Sequence, residues 1–455
     1  MQQRSRQGRL KETSNGAGES GTAARRARQR ALAVGVVPAD PGGADVLAEL
    51  KELLRTAGVA TAGVMTQVRP EPDPDRYLGR GKLQELKAEI ASTDANLVAT
   101  DDELAPRQER NLEAALGVPV IDRTAVILDI FASHAHTAEG KLQVELAQLE
   151  YNLARMRGLW THLERLGAGR MDGGIGTRGP GESQIETDRR LARDRISALR
   201  HKLKGLQKNR SVMRARRDAA SVPTVALAGY TNAGKSTLLN ALTGAEVGVG
   251  DRLFHTLDPT TRAYRHDGRD YLVTDTVGFI RKLPHQLVEA FKATLEETRV
   301  ADLILHVVDG SESAEERRGA IEAVDAVLEE LGAGDRPRLL VLNKIDLLDD
   351  SERRGLLVGE ADAVGTSAAS GEGLDELRER IARAFEETLR PLELLVPYDQ
   401  GARLSELHAL AGDLEREDRP EGVMVRARVP AGEAHRFAEF AVSDGAASSN
   451  GRPGD

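Results

Sequence analysis

The chain of 455 residues contains no cysteine. That excludes a disulfide framework, a zinc cluster built on thiolates and thiol catalysis, and it suits a reducing compartment. No run of about 18 apolar residues occurs, so no membrane span is expected. The N-terminus is basic but lacks the apolar core of a signal peptide, so the expectation is an unexported, cytoplasmic protein. Bases are outnumbered by acids, 63 to 72, giving a net charge of -9. Taken alone, that balance argues against a nucleic-acid partner. The length suits about three domains with proper cores.

The charge that is present is unevenly placed. Arg193, Arg195, Arg200, Lys202, Lys204, Lys208, Arg210, Arg214, Arg216 and Arg217 crowd one short segment with few acids. The stretch from Arg4 to Arg30 is also arginine-rich and is filled out with Gly, Ser and Ala. It reads as a disordered solubilising extension over 1–30, with a nucleic-acid arm as the alternative, and 444–455 reads as a disordered tail.

One stretch organises the rest. Gly229-Tyr230-Thr231-Asn232-Ala233-Gly234-Lys235-Ser236 follows the apolar Val225-Ala226-Leu227-Ala228 and precedes a helical pattern. This is a phosphate-binding loop in its strand, loop and helix setting. The glycines let backbone N–H groups turn inward around phosphates, Lys235 reaches the β- and γ-phosphates, and the Ser236 hydroxyl can ligate Mg²⁺.

Ahead of it, residues 31–136 alternate apolar strands with helical patterns, the cadence of a small α/β domain with a mainly parallel sheet. Its Gly79-Arg80-Gly81-Lys82 could touch a phosphate, but a turn capping the next helix explains it equally well. Over 137–220, Leu142, Leu146, Leu149, Leu153, Met156, Trp160, Leu163 and Leu166 form a helical seam, and Ile196, Leu199, Leu203, Leu206 and Met213 repeat the rhythm. Two helices can therefore zip as an antiparallel hairpin, each arm about 35–45 Å long at 1.5 Å per residue. The glycine-rich tip, taken as 167–183, is longer than closure requires. It reads either as a linker or as a probe on a stalk. The basic outer face of the second arm points to nucleic acid in spite of the net charge.

Residues 221–388 carry the remaining chemistry. The polar Phe254-His255-Thr256-Leu257-Asp258-Pro259-Thr260-Thr261-Arg262 precedes a strand ending in Asp275-Thr276-Val277-Gly278. Two further buried strands follow, one ending in Asn343-Lys344-Ile345-Asp346, and a last one runs into Ser367-Ala368-Ala369. All these strings fall at carboxyl ends of strands, where an open α/β sheet binds its ligand. Asp275 sits where a carboxylate holds Mg²⁺ through water, and the Gly278 N–H can meet a γ-phosphate. Asp346 selects the base, because a carboxylate accepts from guanine N1–H and the 2-amino group and adenine offers neither donor. Asn343, Lys344, Ser367 and Ala368 complete that guanine pocket. Residues 389–443 read as a small β-α-β-α appendix without chemistry of its own.

Taken together, Asp122-Arg123-Thr124 with Leu128-Asp129-Ile130-Phe131, the run from Glu139 to Gln148, the 173–182 tip, the phosphate loop and the 275–280 string resemble an HflX-type GTPase. The resemblance implies a multidomain α/β chain: a Ras-like doubly wound GTPase domain, a small α/β domain and an antiparallel helical hairpin before it, and a small α+β domain after it. It implies a monomer that binds GTP and GDP and docks on the large ribosomal subunit and its rRNA, with peripheral association to membrane open. The resemblance further implies dissociation of stalled or idle ribosomes under heat or other stress, with a ribosome-assembly GTPase or a GTP-dependent ribosome- or RNA-binding anti-association module as the alternatives. Ser236 and Thr256 would ligate Mg²⁺, Thr256 only when GTP orders its loop. The nucleotide would be held by 229–236, 254–258, 275–278, 343–346 and 367–369, with Lys235, Asn232, Thr256 and Gly278 nearest the chemistry. Arg170, Arg178, Arg193, Arg200 and Lys204 would meet rRNA. Phe279 stands where many GTPases carry a water-orienting glutamine, which implies slow hydrolysis alone and stimulation by ribosomes. Asn232 matches an asparagine that helps related GTPases hold K⁺.

Overall fold

The computed structural model describes residues 29–39, 46–167, 180–219, 222–245, 248, 250, 253–282, 295–360, 362–386, 389–411, 414–430 and 433–442. They divide into two compact units. The first takes the described residues up to Lys204 together with those of 250–258 and 281–292, and the second takes the rest.

In the first unit, strands β1 (Arg30–Val37), β2 (Ala60–Val68), β3 (Leu97–Thr100) and β4 (Val120–Asp122) form one sheet in the order β2-β1-β3-β4, every pair parallel. The central β1 is apolar almost throughout because helices cover both faces of a parallel sheet. Helices α1 (Ala48–Thr56), α2 (Arg80–Thr93), α3 (Pro106–Leu116) and α4 (Arg123–His134) supply that cover. Leu32, Val34, Leu83, Leu86, Val98 and Leu112 meet in the core. Pro106 opens α3 where its missing N–H costs nothing, and Asp122 caps α4 by accepting from the Ala125 N–H at 2.8 Å. The Gly79 string does cap a helix: Gly79 is the N-cap of α2, and its N–H donates to Gln67 Oε1 at 2.9 Å.

Two long helices follow, α5 (Ala138–Gly167) and α6 (Pro180–Ala219), of 30 and 40 residues. Buried Leu146, Ile196, Leu199 and Leu203, with Leu142, Leu149 and Leu153 against them, form their seam. Ion pairs Arg195–Glu145 at 2.7 Å and Arg200–Glu150 at 2.8 Å flank it. The expected tip is shortened, because α6 already begins at Pro180, a residue preorganised for a first helical turn. Residues 168–179, with Arg170 and Arg178, lie outside the described residues, as do the side chains of Trp160, Leu163, Leu166 and Met213.

The second unit holds a six-stranded sheet in the order β10-β9-β8-β5-β7-β6. Its strands are β5 (Thr224–Gly229), β6 (Thr260–His266), β7 (Arg269–Asp275), β8 (Leu303–Asp309), β9 (Arg338–Asn343) and β10 (Val364–Gly365). Only the β6–β7 pair is antiparallel. Asp267 and Gly268, at φ 48° and 72°, make the tight turn between them. The polar segment expected over 254–262 is thus a strand from Thr260 onward. Helices α7 (Lys235–Thr243), α8 (Ala314–Glu330), α9 (Asp350–Gly359) and α10 (Leu374–Glu386) pack around the sheet, and Leu227, Leu238, Leu305, Val341, Leu377 and Phe385 share its core.

The appendix departs from the β-α-β-α expectation. Its strands β11 (Leu389–Val396), β12 (Leu414–Arg419) and β13 (Gly422–Pro430) form an antiparallel sheet in the order β11-β13-β12, with α11 (Gly401–Ala411) against it. The missed element is β12, whose sequence Leu-Glu-Arg-Glu-Asp-Arg has no apolar alternation. It pairs along one side of β13 only, and an edge strand keeps charges on show to deter further pairing. Among the described residues, no helix is long and apolar enough to cross a membrane.

Candidate functional site

The phosphate end of the site is built at the carboxyl edge of β5. Lys235, the first residue of α7, is buried, and its Nζ donates to the carbonyls of Gly229 at 3.0 Å and Tyr230 at 2.8 Å. Burial pushes its pKa down to about 8, against the attraction of Asp275. An ammonium so desolvated gains most from an anion brought against it. Ser236 Oγ donates to Asp275 Oδ2 at 2.6 Å, and Asp275 is fully buried at the end of β7. A hydroxyl beside a carboxylate is an all-oxygen donor set that suits Mg²⁺. Ser236 would hold the ion directly and Asp275 through water, and the ion would neutralise charge on the β- and γ-phosphates.

The segment after Asp275 is laced to the loop. Thr276 Oγ1 donates to the Leu227 carbonyl at 2.6 Å, the Phe279 N–H to Gly229 O at 3.1 Å, and the Thr231 N–H to Phe279 O at 2.8 Å. This short parallel rung carries Gly278 past Lys235, and Phe279 is 1% exposed with its ring in the core. Val277 is buried as well, whereas Asn232 stands exposed with a left-handed φ of 62°.

At the base end Asn343 is buried, and its side chain does more structural work than its place in a base motif suggests. Its Nδ2 donates to the Ala233 carbonyl at 2.8 Å and its Oδ1 accepts from the Ala368 N–H at 3.0 Å. The asparagine is a strut between the phosphate loop and the 366–369 segment. Gly234 must be glycine beside it, since a Cβ there would overlap Asn343 Nδ2 and φ is 91°. Lys344 pairs with Asp309 at 2.6 Å, a partner that residue spacing alone does not single out. The Ile345 N–H donates to Thr366 O at 3.2 Å, so the 343–346 and 366–369 segments are fastened to each other. Asp346 is exposed on its 3-10 turn, Ser367 is buried with Oγ accepting from the Ser370 N–H at 3.1 Å, and Ala369 is exposed.

Residues 254–258 belong to the first unit. Phe254 is buried edge-on against Phe131, ring centroids 4.6 Å apart, and its carbonyl accepts from His134 Nδ1 at 2.8 Å. Leu257 is buried, His255 is exposed and Thr256 is half-buried. The Asp258 carboxylate accepts from the N–H groups of His136 at 3.1 Å and Thr137 at 2.9 Å and from the Thr137 hydroxyl. Sequence reasoning missed Phe131, His134 and Thr137 as partners of this segment, because the spacing of about 120 residues carries no local signal. Of the residues expected to meet RNA, Arg193 and Lys204 are exposed, and Arg200 is exposed but paired with Glu150.

A glycine loop between strand and helix, opening on a buried lysine and carrying a serine hydroxyl bonded to a buried carboxylate, has the form of the phosphate site of a P-loop GTPase. Families described as GTP-binding GTPase N-terminal, GTP-binding GTPase Middle Region and 50S ribosome-binding GTPase match residues 44–132, 134–217 and 224–344. GTPase HflX of Caldanaerobacter subterraneus is 46% identical over 422 residues, covering 92% of this chain and 95% of its own length. GTPase HflX of Escherichia coli is 46% identical over 386 residues, covering 84% and 89%. A GTP-binding protein from Sulfolobus solfataricus, solved with GDP, aligns over 78% of this chain and 98% of its own at 25% identity, with a TM-score of 0.40. The chain belongs to the HflX family of GTPases, and its reaction is hydrolysis of GTP to GDP and phosphate.

Proposed function

We propose that this GTPase binds the large ribosomal subunit through its rRNA and dissociates stalled or idle ribosomes under stress such as heat. The observation that carries the reading is the pair of helices of 30 and 40 residues, α5 and α6, which project exposed Arg193 and Lys204 from a leucine-zipped seam. Such a face provides sequence-independent phosphate contacts. Arg195 and Arg200 are engaged with Glu145 and Glu150, so the phosphate contacts fall on Arg193, Lys202 and Lys204 first. The match of 224–344 to a family described as ribosome-binding supports the same partner.

Phe279 supplies no group to orient water, so hydrolysis is slow alone and the docked ribosome supplies the missing order. GTP occupancy then drives dissociation, and hydrolysis resets the protein for release. Asn232, exposed on the phosphate loop, would help hold a K⁺ ion that acts as a fixed positive charge. Sedimentation of ribosomes with the full chain tests the function. Splitting with GTP and with a non-hydrolysable analogue, but not with GDP, is expected, and unsplit particles in every nucleotide would sink the proposal. Accumulation of precursor subunits on loss of the protein, without splitting, would assign it to assembly instead. Turnover should rise with large subunits and should be faster in K⁺ than in Na⁺.

A further inference from the structure

The two strings expected at the base, 343–346 and 366–369, are tied together from behind by one side chain, Arg353 of α9, and all of these residues lie in the second unit. Arg353 Nη2 donates to the Ile345 carbonyl at 3.0 Å and Nη1 to Glu372 Oε1 at 2.6 Å. The Ile345 carbonyl also accepts from the Leu348 N–H at 3.2 Å, closing the 3-10 turn that carries Asp346. On the other side, the Glu372 carbonyl accepts from the Ser367 N–H at 2.9 Å, and the next residue, Gly373 at φ 75°, has Gly365 O where a Cβ would stand. Each arm of the guanidinium thus ends on a residue that shapes one of the two strings. The start of α9 fixes Arg353 in turn. The Asp349 carboxylate accepts from the Ser351 and Glu352 N–H groups, each at 2.8 Å, and Glu352 Oε2 accepts from the Asp349 N–H at 3.0 Å.

An ion pair as open as Arg353 and Glu372, whose side chains are 26% and 46% exposed, adds little to stability. Arg353 also leaves Nε buried with no partner among the described residues, a penalty that a surface pair without another task has no reason to bear. What the fork achieves is geometric, because a planar guanidinium fixes two acceptors relative to each other. We propose that Arg353, with Glu372, is a positioning residue for guanine recognition. It clamps the turn of Asp346 to the loop of Ser367 and Ala368, so that the carboxylate is already aimed when the base arrives. The clamp thereby sets how well the site tells guanine from a purine that lacks the 2-amino group. The proposal rests on the reading of Asp346 as the residue that meets the base.

The test compares the affinity of the full chain for GDP and for inosine diphosphate, which offers N1–H but no 2-amino group. One hydrogen bond to a carboxylate should give the wild type a preference for GDP of about tenfold or more. Arg353→Met keeps the length of the side chain and removes both arms, and the preference should narrow by at least about threefold. Glu372→Gln, a change at an exposed position, drops the ion pair alone and should narrow it by about twofold. A preference unchanged in either variant, or the two nucleotides weakened equally as a merely structural loss would do, overturns the proposal. Asp346→Asn separates it from the reading beneath it. If that variant keeps the preference for GDP, Asp346 does not meet the base; if it loses the preference while the Arg353 and Glu372 variants keep it, only the clamp is lost. Amide exchange supplies a second readout. Arg353→Met should speed exchange at Leu348 and Ser367 and leave Thr231 of the phosphate loop at its wild-type rate, and unchanged exchange at the first two refutes the clamp.

Discussion

His306 in β8 is a buried imidazole for which the GTPase reaction has no evident use. It is 4% exposed, opposite Ala228 of β5, and among the described residues its Nε2 has no hydrogen-bond partner. Burial pushes its pKa down to about 4; Asp325, 3.8 Å from Nδ1, opposes the shift, while Arg338 and Lys235 add to it. The native state therefore keeps the ring neutral while the unfolded chain protonates it near its usual 6.5. Stability is complete above that value and is lost as pH falls through the window down to about 4. At pH 5 the loss attributable to this one residue is about 2 kcal/mol, and His306→Leu should remove it. Denaturant midpoints of wild type and variant at pH 7.5 and pH 5 check this; parallel losses in both proteins would contradict it. The phosphate loop was legible as a strand, glycine loop and helix, because Gly234 at φ 91° and the buried Lys235 stand where the spacing of the motif puts them; the spacing also proposed Asp346 for the base, and the structure shows it exposed on its short turn. Asn343 was legible as a site residue but not as a strut, since spacing does not show what a side chain bonds to.

Among the elements, the ends of β3 and β4 carry a charge cluster that their short sequences do not announce. Arg123, at the first position of α4 and 2% exposed, pairs with Asp101 at 2.9 Å and with Glu49, and it donates to the Arg281 carbonyl at 2.8 Å. Lys282 pairs with Asp101 at 2.9 Å and Asp102 at 2.6 Å, and Tyr77 Oη donates to Asp102 at 2.6 Å. Burial raises the Tyr77 phenol far above its usual range and the two aspartates raise it further, so it stays a donor. Arg123→Met should cost about 3 kcal/mol, the low end for an uncompensated buried charge, because Lys282 still covers the other oxygen of Asp101. Arg123→Lys should recover little of it, since one ammonium cannot copy a forked guanidinium. Thermal melts decide, and a Met variant as stable as wild type would show the cluster to be neutral in the balance. Strong periodicity made β1, α5 and α6 readable in advance. The strand β12 was not, because five charges in six residues obey neither a helical nor a strand pattern.

Across the whole molecule, the sequence showed the order of the parts but not which of them pack together. Residues 253–258 lie between β5 and β6 in the chain, yet they belong to the unit of the N-terminal sheet. Such a crossing depends on contacts more than a hundred residues apart, and no local pattern encodes them. The consequence concerns inheritance. Gene fusion and domain shuffling work on segments that keep their own contacts, and a segment cut at residue 222 would not. It would carry Leu253, Phe254 and Leu257, which are 6%, 2% and 2% exposed in the intact chain, without Phe131, against which Phe254 packs, and without the rest of the first unit. The excised 222–455 fragment should bind a fluorescent apolar dye that full-length protein does not, and Phe254→Ser should abolish most of that signal. A fragment as dye-silent as the parent would show that the cut is harmless. If the signal appears, the GTPase half can be recombined with a new N-terminal half only when that half brings a surface for the same three side chains. The two halves would then have to descend together.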